Sequence, residues 1–282
     1  MTGRTVLIIA GITLKEAARR RVLRSLAVLT VALLGLSAWG FARLHAEFGG
    51  LTTGEARIAA STVLNLVMFG LSLIAALGTA FLAGPTLSGE IESGIALAMM
   101  TRPVSRVAVL AGKWLGLVAF GSGYVALAGL AQLLIVKITM DYWPPQPATG
   151  LVLLAAQTTV LLTLGLLFST AISPMASGIV AVGLFGATWV AGVVGSVGEA
   201  LKNDSVAQIG TVSRMLLPTD GLWRGAMHAF QDPSLFTGFG SGFEASPFLS
   251  MTPLTATYLT WAGVWILLVF GLAALAFQRR DL

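Results

Sequence analysis

The chain alternates between long, almost wholly apolar stretches and short segments that carry most of its charged side chains. An α-helix rises about 1.5 Å per residue, so a run of roughly 17 to 25 apolar residues can cross a bilayer. Six stretches meet this length, and the pattern predicts an all-α integral membrane protein with six transmembrane helices. The predicted spans are residues 25–41, 58–83, 107–136, 151–172, 175–197 and 252–277.

Residues typical of helix starts support these limits. Ser173-Pro174 and Thr252-Pro253 each place a hydroxyl side chain before a proline, which is tolerated at the first helical position. These pairs predict the starts of the fifth and sixth spans. Pro103 disfavours helix at the residue before it, so Ser105 is free to cap the third span.

The N-terminal residues 1–24 predict an amphipathic helix that lies on membrane lipid at the cytoplasmic interface. Its apolar stripe is Leu7, Ala10, Leu14, Ala17 and Ala18. Four charged residues are its candidate functional positions: Lys15, Glu16, Arg19 and Arg20. A frayed basic tail is the alternative interpretation.

Residues 198–250 form the longest connection, predicted to be an extracytoplasmic loop with short helices. Leu222, Ala226 and Phe230 recur at helical spacing after Pro218-Thr219-Asp220. This spacing predicts a helix that begins at the Pro-Thr-Asp segment, ends before Asp232-Pro233, and lies on the membrane or on the spans.

Composition agrees with a membrane protein. Of the 282 residues, 56% are hydrophobic and only 10% are charged, where soluble domains average about 25% charged. The net charge of +5 comes from basic residues at helix ends, so it does not indicate a nucleic-acid partner.

Lysine and arginine predict the orientation, because short cytoplasmic loops are enriched in both. With six spans the two termini share a side. That side carries eleven of these residues: Arg4, Lys15, Arg19, Arg20, Arg21, Arg24, Arg102, Arg106, Lys113, Arg279 and Arg280. The short loops of the other side carry three: Arg43, Arg57 and Lys137. Both termini and the segment 84–106 are therefore predicted to be cytoplasmic.

The sequence argues against several functional classes. No G-x-x-x-x-G-K-[ST] phosphate loop occurs, since Gly112-Lys113 is followed by Trp114. No acidic residue falls inside a predicted span, which disfavours a proton- or sodium-coupled carrier. The two histidines are far apart and cysteine is absent, so neither a catalytic centre nor a metal site is predicted. The chain is not expected to be an enzyme by itself.

Polar and small residues inside the spans each allow two interpretations. Asn65, Gln132 and Gln157 either make hydrogen bonds between helices or line a substrate path. The Gly112-x-x-x-Gly116 motif and the glycines of the fifth span permit close helix approach, within one chain or between two copies.

The segment 84–106 is polar between two apolar spans. It carries Glu90, Glu92, Arg102 and Arg106, and apolar residues recur at helical spacing from Glu90 to Arg102. A short amphipathic helix of this kind can fill a groove on a soluble partner. A solvated connector is the alternative.

Several motifs in order resemble the type-2 ABC exporter permeases. The positions that match their coupling region are Glu90, Gly94-Ile95, Pro103-Val104-Ser105-Arg106 and Gly112-Lys113. Residues 12–23 are similar to the connecting helix of that family, and residues 277–282 match a frequent ending. Residues 216–224, with Pro218, Thr219 and Asp220, resemble a segment of the branch that includes the permease of the nitrous oxide reductase maturation transporter.

The resemblance implies a homodimer, or a dimer with a similar permease, in the bacterial cytoplasmic membrane. Two cytosolic ABC ATPase subunits would bind ATP and Mg²⁺, so the chain itself would need no cofactor. The helix within 84–106 would sit in the ATPase groove, with the N-terminal helix beside it. Two functions follow as alternatives. One is export of an amphipathic or lipid-like substrate, and the other is transmission of ATPase motion to a periplasmic or surface partner.

Overall fold

The computed structural model of the chain describes residues 2–20, 22–48, 54–92, 105–231, 247–250 and 252–280, and its regular elements are all helices. In chain order these are α1 (Thr2–Arg19), α2 (Val22–Phe48), α3 (Gly54–Glu92), α4 (Arg106–Met140), α5 (Pro147–Ser169), α6 (Pro174–Ala200), α7 (Asp204–Leu216), α8 (Thr219–Phe230) and α9 (Ala256–Arg279).

Six of these helices, α2, α3, α4, α5, α6 and α9, are long and apolar enough to cross a membrane. They correspond one to one with the six predicted spans, which confirms that part of the prediction. Neighbours in sequence run in opposite directions. In the α2–α3 pair, Gly70 lies against Leu33 and Gly78 lies against Leu26, so the contacts move up one helix and down the other.

The two ends of the bundle are distinguished by their contacts. At one end, which we call the terminal end, the start of α4 meets the end of α9 through Arg106 and Phe277. At the opposite end Tyr142, just after α4, donates a hydrogen bond to the carbonyl of Phe230. The first helix α1 packs on α4 near Gly112, so both termini lie on the same side of the bundle.

The second span is longer than predicted. Its expected end is residue 83, whereas α3 continues past Pro85 to Glu92. A proline inside a helix removes one backbone hydrogen bond. Nearby, the hydroxyl of Thr86 donates to the carbonyl of Leu82, and the hydroxyl of Ser88 donates to that of Gly84. Such hydroxyl contacts help membrane helices tolerate proline. The first part of the segment 84–106, which we call the coupling segment, therefore continues helix α3 as far as Glu92.

The predicted helix starts are confirmed at two positions and wrong at a third. Ser105 caps α4 by accepting from the amide of Ala108, and Ser173 is the N-cap of α6 with Pro174 in its first turn. The sixth span begins at residue 256 and not at 252. The reason is that Thr255 is the residue whose hydroxyl accepts the free amide of Tyr258.

The N-terminal helix is confirmed, but it ends at Arg19 and its buried face differs from the predicted stripe. Thr13 and Ala17 are buried, while Leu7 is 69% exposed and Leu14 is 39% exposed. The cause lies on α4, where Gly112 and Gly116 have no side chain and therefore let one face of α1 approach the α4 backbone closely. An added Cβ at Gly112 would lie 2.6 Å from Ile9 Cβ, and one at Gly116 would lie 2.6 Å from the carbonyl oxygen of Ala10. The Gly112-x-x-x-Gly116 motif thus serves packing within the chain.

The long connection before α9 folds back into the bundle. The helix predicted after Pro218-Thr219-Asp220 is confirmed as α8, and α7 precedes it as a second helix. We call residues 204–230 the re-entrant hairpin. Along α6, Gly198 meets Ala207, Gly195 meets Gly210 and Gly192 meets Asp220. Gly192 lies eight residues before the end of α6, so the hairpin turn lies roughly 12 Å inside that end.

The main hydrophobic core forms around α8. Trp223 and Phe230 are almost completely buried, and Phe69 of α3 packs on the Trp223 ring at 5.4 Å between centroids. The ring of Phe230 fills the space beside Gly150 of α5. A helix predicted to lie on the surface of the spans is therefore an internal part of the bundle.

Candidate functional site

The predicted ATPase-coupling residues divide into two groups. Glu90 and Glu92 lie in the last turn of α3, and Arg106 is the first residue of α4. The others lie outside the described residues: Gly94, Ile95, Arg102 and Pro103. The structure therefore describes the two flanks of the segment.

These two flanks are joined by a buried lysine. Lys113 of α4 is only 4% exposed, and its Nζ donates a 2.9 Å hydrogen bond to the carbonyl oxygen of Thr86 in α3. Burying an ammonium group is costly unless hydrogen bonds satisfy it. This contact fixes α3 and α4 relative to one another where the chain leaves the bundle.

Arginines join the start of α4 to the ends of two other helices. Nη1 of Arg106 donates to the carbonyl oxygens of Phe277, Gln278 and Arg280, at 3.2, 3.1 and 2.8 Å. Nη1 of Arg280 in turn donates to the carbonyl of Thr170, the residue that caps the end of α5. Cations are favourable at these positions, because the last carbonyls of a helix carry partial negative charge.

The candidate residues of the N-terminal helix lie on its outer surface. Lys15, Glu16 and Arg19 are exposed, and Arg20 is half-buried where α1 ends. The same surface carries large apolar side chains, with Leu7, Ile8 and Ile12 each more than half exposed. An exposed helix face with both apolar and basic side chains is typical of a membrane interface.

The three amide side chains inside the spans are buried and hydrogen-bonded. Nδ2 of Asn65 donates to Oε1 of Gln231 and to the carbonyl of Phe248, at 3.2 and 2.9 Å. Gln157 accepts from the hydroxyl of Ser72 at 2.7 Å and donates to the carbonyl of Thr219 at 3.2 Å.

Gln132 is separate from these two and donates to the hydroxyl of Ser37 in α2 at 2.7 Å. The structure thus brings Asn65 and Gln157 together at α8 and leaves Gln132 at the α2–α4 contact. Asn65 meets the residue after the end of α8, and Gln157 meets its first residue. The two amides connect the spans to both ends of one internal helix.

The Pro-Thr-Asp segment forms the turn of the re-entrant hairpin. Asp220 is buried, and its Oδ2 accepts from Nε of Arg214 and from Nε of Arg224, both at 3.0 Å. Arg224 also donates from Nη2 to the carbonyl of Gly192 at 2.8 Å. The hydroxyl of Thr219 lies 3.0 Å from that of Thr188 in α6. The turn is therefore fixed to α6 by an ion-pair cluster and by hydrogen bonds.

Sequence reasoning missed several members of this cluster. Arg224 follows Asp220 by four residues, which is the spacing of an ion pair on one helix face, so this partner was readable. Arg214 and Gly192 belong to other helices, and no local pattern connects them with Asp220. Tyr258 of α9 also joins the cluster, since its hydroxyl donates to the carbonyl of Arg214.

An open cleft of about 670 Å³ lies beside the hairpin, between α5, α6, α7 and α9. Its lining is mostly apolar, with Leu184 and Ala187 from α6, Ile209 from α7 and Trp265 from α9. Four polar side chains reach it: Thr188, Ser205, Gln208 and Ser213. A cleft with this lining fits a molecule that is largely apolar and carries a few hydrogen-bonding groups.

In the part of the chain that the structure describes, no cluster of three or more histidine or acidic side chains could hold a metal ion. The comparisons point instead to transport. Residues 10–282 match the sequence model of the ABC-2 family transporter protein, so the match includes all six spans and the hairpin. A search of the curated proteins finds no match.

Permeases of that family are multi-pass membrane subunits that associate with an ABC ATPase subunit, and ATP is hydrolysed on that separate subunit. The six apolar helices have the architecture that such a subunit requires. The chain therefore belongs to the ABC-2 transporter family and is the membrane permease subunit of an ABC transporter.

Proposed function

We propose that this permease exports an amphipathic or lipid-like substrate with energy from ATP hydrolysed on its partner subunits. The cleft beside the re-entrant hairpin is the observation that supports this choice of cargo. Its wall is apolar, its polar side chains are hydroxyls and one amide, and no charged residue lines it. A small ion would find no counter-charge there, whereas an acyl chain or another apolar body would lose little by entering.

The polar groups inside the spans support the same choice. Asn65 donates to Gln231 and to Phe248, Gln132 donates to Ser37 of α2, and Gln157 donates to Thr219 of α8. A cargo that accepted hydrogen bonds from Asn65 would have to displace the two acceptors that its Nδ2 already has. An apolar cargo makes no such demand.

In the working complex, two copies of the permease and two ATPase subunits assemble in the bacterial cytoplasmic membrane. The terminal end of the bundle faces the cytoplasm, as the distribution of lysine and arginine predicts. The coupling segment enters a groove of the ATPase, α1 lies beside it on the lipid surface, and ATP and Mg²⁺ are bound by the ATPase. The motif resemblance at Glu90 and at residues 103–106 supports this arrangement.

The cargo is tested in nanodiscs that hold the permease with its ATPase. ATP hydrolysis is measured across a panel of phospholipids, glycolipids and amphipathic drugs. Ala187→Trp fills the cleft, and we expect it to reduce cargo-stimulated hydrolysis at least tenfold while leaving basal hydrolysis unchanged. Leu267→Trp is the matched control, because Leu267 is 70% exposed on α9 and lies outside the cleft lining. Equal stimulation in the two variants would contradict the cleft as the cargo site.

Docking of the coupling segment needs a separate test. Glu90→Arg combined with Arg102→Glu reverses both charges of the predicted docking helix. We expect this double variant to insert normally in the membrane and to lose coupling between hydrolysis and transport. Normal hydrolysis and transport would place the ATPase contact elsewhere.

A second candidate function is transmission of motion to a periplasmic or surface partner. The hairpin favours it, because the hydrogen bonds of Gln157, Thr188 and Arg224 tie the turn to α5 and α6. The similarity of residues 216–224 to the maturation-transporter branch adds support. In this case no amphipathic compound would change the rate of hydrolysis. A charge reversal at the exposed α6–α7 connection, Lys202→Glu, would abolish function in cells and leave hydrolysis intact.

A further inference from the structure

We propose that Arg106 and Arg280 form a relay that carries movement of the coupling segment to α9 and to the α5–α6 connection. This inference rests on the proposed docking of an ATPase at the coupling segment. It assigns Arg106 a role inside the permease, as a positioning residue, in place of a direct contact with the ATPase.

The first step of the relay is the position of Arg106. Arg106 is the first residue of α4, immediately after the coupling segment and its cap Ser105. A displacement of that segment therefore acts directly on this residue. Its guanidinium contacts the last carbonyls of α9, those of Phe277, Gln278 and Arg280, through a single nitrogen.

The second step is the contact of Arg280 with Thr170. Arg280 is the C-cap of α9, and its backbone carbonyl receives the shortest of the three hydrogen bonds from Arg106, at 2.8 Å. Its own side chain donates to the carbonyl of Thr170. Arg280 thus joins α4 to α5, because its carbonyl oxygen accepts from Arg106 and its side chain donates to Thr170.

The third step leads from α5 to α6. Thr170 is separated from Pro174 by three residues, so a movement at the end of α5 reaches the start of α6 over a very short connection. That start is packed tightly, because a Cβ added at Gly84 of α3 would lie 2.5 Å from the carbonyl oxygen of Pro174. Helix α6 carries Thr188 and Gly192, which hold the hairpin turn. The chain of contacts therefore runs from the coupling segment to the cleft.

Lys113 explains why the movement would pass through this route. Its hydrogen bond to Thr86 holds the two flanks of the coupling segment together near the bundle. Because this bond fixes α3 and α4 to each other, a displacement of the segment moves the end of α3 and the start of α4 together. It does not separate the two helices. The contacts of Arg106 and Arg280 then pass this movement to α9 and to the end of α5.

The experiment follows the α5–α6 connection in the assembled complex. The chain has no cysteine, so Ile172→Cys introduces a single site per permease for a nitroxide spin label. Ile172 is exposed, which leaves room for the label. The labelled permease is reconstituted with its ATPase in nanodiscs, and its spectrum is recorded without nucleotide and after trapping with MgATP and vanadate.

We expect trapping to change the spectrum of the labelled parent. Arg280→Gln and Arg106→Gln should each reduce that change at least fivefold, and the complex of the Arg280→Gln variant should still contain the ATPase and hydrolyse ATP. Because the two residues act in series, the double variant should lose no more than either single variant. Arg106→Lys should retain part of the change. Arg279→Gln, an exposed neighbour, is the matched control and should behave as the parent.

Three results would overturn the relay. In the first, the spectral change survives in both glutamine variants. In the second, Arg279→Gln loses the change equally. In the third, the double variant loses much more of the change than either single variant, which would mean that the substitutions weaken the packing of the bundle independently. If Arg106→Gln does not fold, Arg280→Gln carries the test alone, since the same loss is expected. Failure of the ATPase to copurify with the parent would instead refute the docking proposal, and the relay with it.

Discussion

The carboxylate of Asp220 occupies the space that a side chain would need at Gly192. A Cβ atom added at Gly192 would overlap both the Oδ2 and the Cγ atoms of that aspartate. The absence of a side chain on α6 thus lets a buried acidic group reach the backbone of a span. There it meets Arg214 and Arg224, and the three charges hold the turn of the re-entrant hairpin inside the bundle.

Gly192→Ala should destabilise the permease, because the new methyl group overlaps Asp220 and displaces it from its arginines. Overpacking of this kind typically costs about 1–3 kcal/mol. Thermal unfolding in detergent micelles measures the effect. Gly186→Ala is the control on the same helix, since nothing lies within 4 Å of its added Cβ. That variant should be as stable as the parent or more stable, and a Gly192→Ala protein with unchanged unfolding would contradict the packing described here.

Asp220→Asn should leave two arginines without their shared counter-charge. Removing one partner of a buried ion pair costs about 3–5 kcal/mol, and the partial exposure of both arginines places the loss near the lower value. A double-mutant cycle with Arg224→Gln checks the cause. The double variant should be more stable than the sum of the single losses predicts. Strict additivity would mean that Arg224 and Asp220 do not interact.

Gly112→Leu should detach the N-terminal helix from α4. The close contact of Ile9 and of the Val6 carbonyl leaves no room for a side chain at this glycine. Hydrogen exchange of the amides between residues 4 and 18 should become at least tenfold faster in nanodiscs. Gly123→Leu lies on the same helix with nothing within 4 Å of its Cβ, and its exchange should match that of the parent.

Lys202→Gly should stabilise the end of α6. Lys202 has a φ of 54°, in the left-handed region, and the amide of Asn203 donates to the carbonyl of Gly198 as in a Schellman motif. Glycine adopts this conformation without strain, so a gain of about 0.5–1 kcal/mol is expected. Lys202→Ala removes the same charge and keeps the strain, so it should show no such gain in the same unfolding measurement.

The parts of the fold that the sequence predicts well depend on local pattern. Six spans follow from the lengths of apolar runs, and Ser105 and Ser173 follow from the residues that flank helix starts. The start of α9 was predicted wrongly, because Thr252-Pro253 and Thr255 both offer a hydroxyl and only the packed structure selects Thr255.

The parts that the sequence does not predict depend on contacts between distant residues. The face of α1 that is buried is decided by Gly112 and Gly116, which belong to another helix. The burial of α8 follows from Gly150 and Gly192, which make room for Phe230 and Asp220. A linear pattern shows that α8 has an apolar face, but it cannot show that glycines of α5 and α6 leave room for the helix inside the bundle.

The depth of the hairpin has a consequence for biosynthesis. Insertion machinery selects segments by their hydrophobicity, and α7 and α8 contain Asp204, Arg214, Asp220 and Arg224. Neither helix would enter lipid alone. We expect both to pack into the bundle only after α5 and α6 are inserted, with Asp220 paired to Arg214 and Arg224. On this expectation, the hairpin is the last part of residues 147–230 to reach its final position during biosynthesis.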